Sequence, residues 1–131
     1  MMTGAWTAVE LGAGFPVPQG AYTPVVRAGE FLFVSGQVPT DPATGRVVGA
    51  TVAEQTRFVI EKLGRTLFAA GASLSDVVVV NAYLADIGAW DEFNAAYRAG
   101  FAPPYPTRTT VGAQLHGVLV ELSATAYIGA K

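Results

Sequence analysis

The chain has 131 residues and a mass of 13.6 kDa, which allows one domain spanning residues 1–131 at about 100–200 residues per domain. Hydrophobic residues make up 51% and charged residues 14%, against about 25% charged in average usage; this excludes disorder and leaves apolar surface for an oligomer to cover. The net charge is -2, and the eight Lys and Arg residues are scattered singly, so no patch exists to neutralise several phosphates and no nucleic-acid partner is expected.

Pro16-Val17-Pro18-Gln19-Gly20 reads as an irregular lead-in. Val25-Val26-Arg27 and Phe31-Leu32-Phe33-Val34 flank Ala28-Gly29-Glu30, the pattern of a hairpin. Asp41-Pro42-Ala43-Thr44-Gly45 carries turn residues at both ends. The period then changes. Thr51 and Glu54 form a capping-box pattern. Val52, Val59, Leu63, Leu67 and Ala70 follow at helical spacing, and Gly71 supplies the stop. Val77–Leu84 is rich in β-branched residues and apolar on both faces, which predicts a buried central strand. Asp86 is placed to cap a second helix with the stripe Trp90, Phe93, Tyr97 and Phe101. Gly100 and the prolines Pro103, Pro104 and Pro106 end it. Two strands, about Thr107–Ala113 and Val118–Ile128, are expected around a turn near Gln114–Gly117. The order β-β-β-α-β-α-β-β predicts an α+β domain, a mixed sheet with two helices on one face.

Candidate chemistry concentrates at the end of the chain. In the last strand Val118, Val120, Leu122, Ala124 and Ala126 share one face, suited to packing under helices. Leu119, Glu121, Ser123, Thr125 and Tyr127 share the other. If the final turn is even-membered and centred between Gln114 and Leu115, Arg108 lies directly across from Glu121 on that polar face. Such a pair reads as a cross-strand ion pair. It also reads as a guanidinium offered to a carboxylate, with an acid or base beside it. The single histidine, His116, falls in the turn with no triad partner at a useful spacing. Asn94 lies beside the apolar stripe, Tyr22 follows a Gln-Gly turn, and Ser35-Gly36-Gln37 closes a strand where backbone can approach a ligand. The chain has no cysteine, which removes thiol chemistry and Cys-based metal sites. No phosphate loop, dinucleotide fingerprint or zinc spacing occurs, and no metal site is expected. No basic region with a following apolar run opens the chain, and apolar runs such as Val77–Val80 fall far below the roughly 18 residues of a membrane span. No membrane partner and a cytoplasmic location are the expectations.

Several segments together resemble the Rid family, the reactive intermediate (enamine/imine) deaminases, also known as endoribonuclease L-PSP or translation-initiation inhibitor proteins. They are Gln19-Gly20-Ala21-Tyr22, Val34-Ser35-Gly36-Gln37-Val38-Pro39, Asp41-Pro42-Ala43-Thr44-Gly45, Asn94-Ala95-Ala96-Tyr97, Pro106-Thr107-Arg108-Thr109 and Val120-Glu121-Leu122. The likeness spans about residues 15–128. It implies a chorismate-mutase-like α+β fold and a homotrimer with clefts between subunits. It implies hydrolytic deamination of 2-enamine or 2-imino acids to 2-keto acids and ammonia, without a cofactor. By the same resemblance, the catalytic residues are Arg108, which grips the substrate carboxylate, and Glu121, which holds the attacking water. Tyr22, Ser35, Gly36, Asn94 and Thr110 line the substrate site. The sequence departs from the family pattern in two places. Arg108-Thr109-Thr110 stands where Arg-Ser-Cys is common, and Leu115-His116 where Leu-Pro is common. Two other functions fit the family name or the cleft: a ribonuclease, opposed by the acidic pI of about 5.2, and a non-catalytic metabolite-binding or chaperone-like trimer.

Overall fold

The computed structural model describes residues 5–129. Six strands and two helices follow one another as β1 (Thr7–Ala8), β2 (Val25–Ala28), β3 (Phe31–Gln37), α1 (Val52–Ala69), β4 (Val77–Leu84), α2 (Trp90–Gly100), β5 (Thr107–Gly112) and β6 (Val120–Tyr127). The strand order in the sheet is β1-β2-β3-β6-β4-β5. Only β4 and β5 run parallel; the other neighbours are antiparallel. The expected element order and the α+β class with a mixed sheet are both present.

The local signals explain the elements. Ala28 pairs with Phe31, and Gly29 takes φ +60° in the two-residue turn between them, the left-handed conformation glycine adopts freely. Thr51 caps α1 by accepting from the Glu54 backbone N–H at 3.1 Å, while Glu54 accepts from the Ala50 and Thr51 N–H groups. Caps of this kind are worth about 1 kcal/mol. Those bonds hold the Glu54 carboxyl below its ordinary pKa. Gly71, at φ +87°, follows the helix end. Asp86 does not cap α2 itself. It accepts from Gly88 N–H at 2.8 Å and caps a single 3-10 turn, Ile87–Ala89, that leads into the helix.

The core lies between the helices and one face of the sheet. Val59, Leu63 and Leu67 of α1, Phe93 of α2, Val80, Ala82 and Leu84 of β4 and Val120, Leu122 and Ala126 of β6 are fully buried there. Each large apolar side chain removed from water contributes about 1.5–3 kcal/mol. The alternation expected in β6 is therefore realised, with Val120, Leu122, Ala124 and Ala126 inward. The helices approach closely because Gly100 has no side chain: a Cβ there would lie 2.7 Å from Cδ1 of Ile60. On the opposite face, Val78 and Val79 remain 40% and 37% exposed. β4 is internal to the sheet, but it is covered on one side only within this chain.

The expected β5–β6 hairpin does not form. β5 returns from α2 to lie parallel to β4, with Arg108 beside Val80 and Val111 beside Tyr83. β6 crosses to the other side of β4 and pairs there, with Glu121 beside Tyr83. β4 thus separates the two strands. Val80 and Tyr83 are three residues apart and point to opposite faces, and they carry Arg108 and Glu121 with them. Arg108 is on the helix-covered face and Glu121 on the open face. They are also roughly 10 Å apart across the sheet and 10 Å along it. They do not pair within one chain.

Candidate functional site

The sequence-derived site residues fall into two groups. The first lies where β5 passes under α2. Arg108 leaves the inner face of this edge strand, donates from Nη1 to Oδ1 of Asn94 at 3.0 Å, and lies over the rings of Trp90, Phe93 and Tyr97 at 5.4, 5.3 and 4.6 Å. Each such contact is worth about 0.5–2 kcal/mol, more as water is excluded. A neutral amide and three ring faces hold the cation, and neither kind of partner neutralises it. Most of its five N–H donors stay available to an anion in the plane of the fork.

Beside this guanidinium is an open cleft of about 300 Å³, lined by Asn94, Tyr97, Arg98, Tyr105, Pro106 and Arg108. Thr110, two residues on and on the same face, buries its Oγ1 without a hydrogen-bond partner; the Tyr97 hydroxyl does the same. Burial pushes the Tyr97 pKa up to about 12, with Arg108 pulling weakly the other way. At neutral pH that hydroxyl keeps its proton.

The second group lies on the open side of the sheet. β3 is irregular between Val34 and Gln37, and this brings Gly36 against the Glu121 carboxylate of β6, where a Cβ on Gly36 would collide with Oε2. Glu121 is half-buried, and burial raises its pKa by disfavouring the charged form. Ser35 Oγ donates to the Thr23 carbonyl at 2.6 Å and tethers the segment that carries Tyr22. Tyr22 itself is exposed. The end of β3 is fixed from below by Lys62 of α1, whose Nζ donates to the Val38 and Thr40 carbonyls and to Thr40 Oγ1 at 2.9–3.1 Å.

Asn94, Arg108 and Thr110 therefore cluster, and Ser35, Gly36 and Glu121 cluster, but the two clusters occupy opposite faces. The aromatic cage was not legible as such: Trp90, Phe93 and Tyr97 read as a core stripe. The usable signal was Asn94 inside that stripe, with an arginine on the strand the helix leads to. Arg98 and Tyr105 carried no signal. His116 is exposed in a bend, and among the described residues no group of three or more His, Cys, Asp or Glu side chains is placed to hold a metal ion.

Replacing Gly36 by alanine tests whether the Glu121 position matters. The new methyl displaces the carboxylate and leaves the helix-side core untouched. Any activity that depends on the Glu121 carboxylate is expected to fall at least about tenfold in Gly36→Ala, since small misplacements of reacting groups are expensive, with little change in melting temperature. A fully active Gly36→Ala protein would show that the contact is incidental.

Residues 14–128 match the family described as Endoribonuclease L-PSP. A RutC family protein of Pyrococcus horikoshii is 40% identical over 86% of this chain and 90% of its own length. A Rattus norvegicus protein named 2-iminobutanoate/2-iminopropanoate deaminase is 34% identical over 87% of this chain and 85% of its own. Among solved structures, RidA from an Antarctic Psychrobacter species superposes with a TM-score of 0.84 at 29% identity, covering 93% of this chain and 99% of that one.

Proposed function

The chain belongs to the endoribonuclease L-PSP family, and from that premise we propose that it hydrolyses 2-imino acids, and the 2-enamines that tautomerise to them, to 2-keto acids and ammonia. The observation that carries this reading is Arg108: a cation at the mouth of a cleft, held by an amide and three rings, with its fork open to a carboxylate. The clamped carboxylate places the adjacent C=N carbon. Water adds to that carbon and its proton passes to a base. The nitrogen is protonated and leaves as ammonia, and a carbonyl remains. Positioning and charge stabilisation suffice for such an electrophilic carbon. Glu121 is the base, and Tyr22, Ser35, Gly36, Asn94 and Thr110 shape the site. No cofactor takes part.

Because one chain separates Arg108 from Glu121, a complete site takes its arginine from one copy and its glutamate from another. We assign this to a homotrimer with clefts between subunits. The open sheet face supports association: Phe31, Phe33, Val111 and Tyr127 are 40–45% exposed, and Phe31 and Tyr127 pack ring to ring at 5.3 Å. Apolar surface of this kind on a sheet marks an interface. Light scattering at micromolar concentration is expected to give about three times the 13.6 kDa chain mass. A 13.6 kDa particle rejects the trimer and the shared site with it.

The ribonuclease reading draws on the family's description alone. A net charge of -2 offers no extended basic surface to a polyanion, and the single histidine, His116, is exposed in a bend. Among the described residues no helix is long and apolar enough to cross a membrane. The deciding assay generates 2-imino acids in place with an amino-acid oxidase and traps survivors with semicarbazide. The protein is expected to suppress the trapped adduct. Ligand binding without suppression would make it a metabolite-binding protein instead.

A further inference from the structure

The cleft beside Arg108 contains a second cation that the proposed hydrolysis does not use. Arg98 lines it together with Asn94, Tyr97, Tyr105, Pro106 and Arg108, and none of the six is acidic. The placement follows from helix geometry. Asn94 and Arg98 are four residues apart on α2 and therefore share one face, with Cβ atoms about 5–6 Å apart. Asn94 holds the Arg108 guanidinium at 3.0 Å. Arg98 thus stands one helical turn further along the wall that Arg108 touches. Its neighbour Tyr97 carries the ring nearest the Arg108 guanidinium, at 4.6 Å. Arg98 is exposed and free to swing across the mouth of the cleft. A helix C-terminus favours a cation there in any case; a second arginine on a wall without carboxylates adds an attraction for a second anion.

We propose that the cleft is selective for dianionic substrates, 2-imino or 2-keto acids with a second carboxylate at the far end of a short chain. Arg108 takes the carboxylate next to the reacting carbon. Arg98 takes the distal one. The cleft, at about 300 Å³, has room for a chain of four or five carbons between the two. This specificity rests on the carboxylate clamp proposed above and extends it to the substrate's other end.

The test compares two stable product-like probes by calorimetry on the trimeric protein: 2-oxoglutarate, with two carboxylates, and 2-oxobutanoate, with one. The dicarboxylate is expected to bind about five- to tenfold more tightly at low salt, the scale of one charge-assisted contact near the surface. The preference should shrink as ionic strength rises. In Arg98→Gln the ratio of the two affinities falls to about one, and in Arg98→Glu it inverts. Equal affinities in the parent protein, failure of both probes to bind, or a preference that survives Arg98→Gln overturns the proposal. Suppression of semicarbazide trapping with no dicarboxylate preference leaves the hydrolysis standing and removes only the role of Arg98. A dicarboxylate preference that needs both arginines, without any turnover, does the reverse.

Discussion

Arg108→Ala is expected to abolish turnover in the trapping assay and to leave the proposed trimer assembled. The expectation follows from how the side chain is held. Its guanidinium has the Asn94 amide and three aromatic faces as partners. None is a carboxylate, so the residue is not one half of a structural ion pair whose loss would strand a buried charge. Truncation leaves the half-buried Asn94 Oδ1 open to solvent, and the core residues behind it, Val80 and Phe93, stay packed. The melting temperature should fall by no more than about 10 °C, as befits a loss of about 1–2 kcal/mol. Arg108→Lys is the sharper variant. Lysine keeps the charge but offers a point ammonium where the site presents a planar fork, and it loses both parallel bonds to a carboxylate. A loss of about 100-fold or more in kcat/KM is expected there, equivalent to about two charge-assisted hydrogen bonds. Near-normal activity in Arg108→Lys sinks the two-bond clamp. Collapse of the trimer in Arg108→Ala shows that the residue is structural.

Much of the fold was legible in the sequence because its signals are local. The Thr51–Glu54 capping box, the Gly29 turn and the period-two alternation of β6 each depend on residues within one element, and each is realised. Strand order was not legible in the same way. A short segment between two β-rich runs suggests a hairpin, and on that basis Arg108 and Glu121 faced one another. A competing signal was present: β4, α2 and β5 form a strand–helix–strand unit, which favours parallel pairing of its two strands. Once β5 pairs with β4 on one side, β6 must take the other. The register then changes the face of every residue by parity, which is why the two residues expected to face one another lie on opposite faces of the sheet. Val77–Leu84 shows the same limit. Its apolar outer face looked like core, and within one chain it is surface; an apolar pattern does not say on which side of the sheet the chain's own helices lie.

That parity yields a prediction about Glu121 that no one-chain site would give. Glu121→Gln keeps the size and hydrogen bonding of the side chain and removes the proton acceptor, so turnover should fall by about 10²–10⁴. Binding of 2-oxobutanoate should stay the same or strengthen, because Arg108 remains while a nearby negative charge is gone. Burial raises the Glu121 pKa, and a base must be ionised to accept a proton. Parent activity should therefore fall with decreasing pH at a higher pH than an ordinary carboxylate would set, and Glu121→Gln should lose that limb. The decisive experiment mixes two inactive proteins. Arg108→Ala and Glu121→Gln chains are unfolded, combined in equal amounts and refolded together. A site built from the arginine of one copy and the glutamate of its neighbour is intact only where a Glu121→Gln chain contributes the arginine and an Arg108→Ala chain the glutamate. Random assembly makes about one site in four complete, so about a quarter of parental activity should return from two parents that have almost none. Each protein refolded alone should recover nothing. A mixture that assembles into trimers and stays as inactive as its parents removes Glu121 from the water, because within a single chain the sheet holds it on the far face from Arg108.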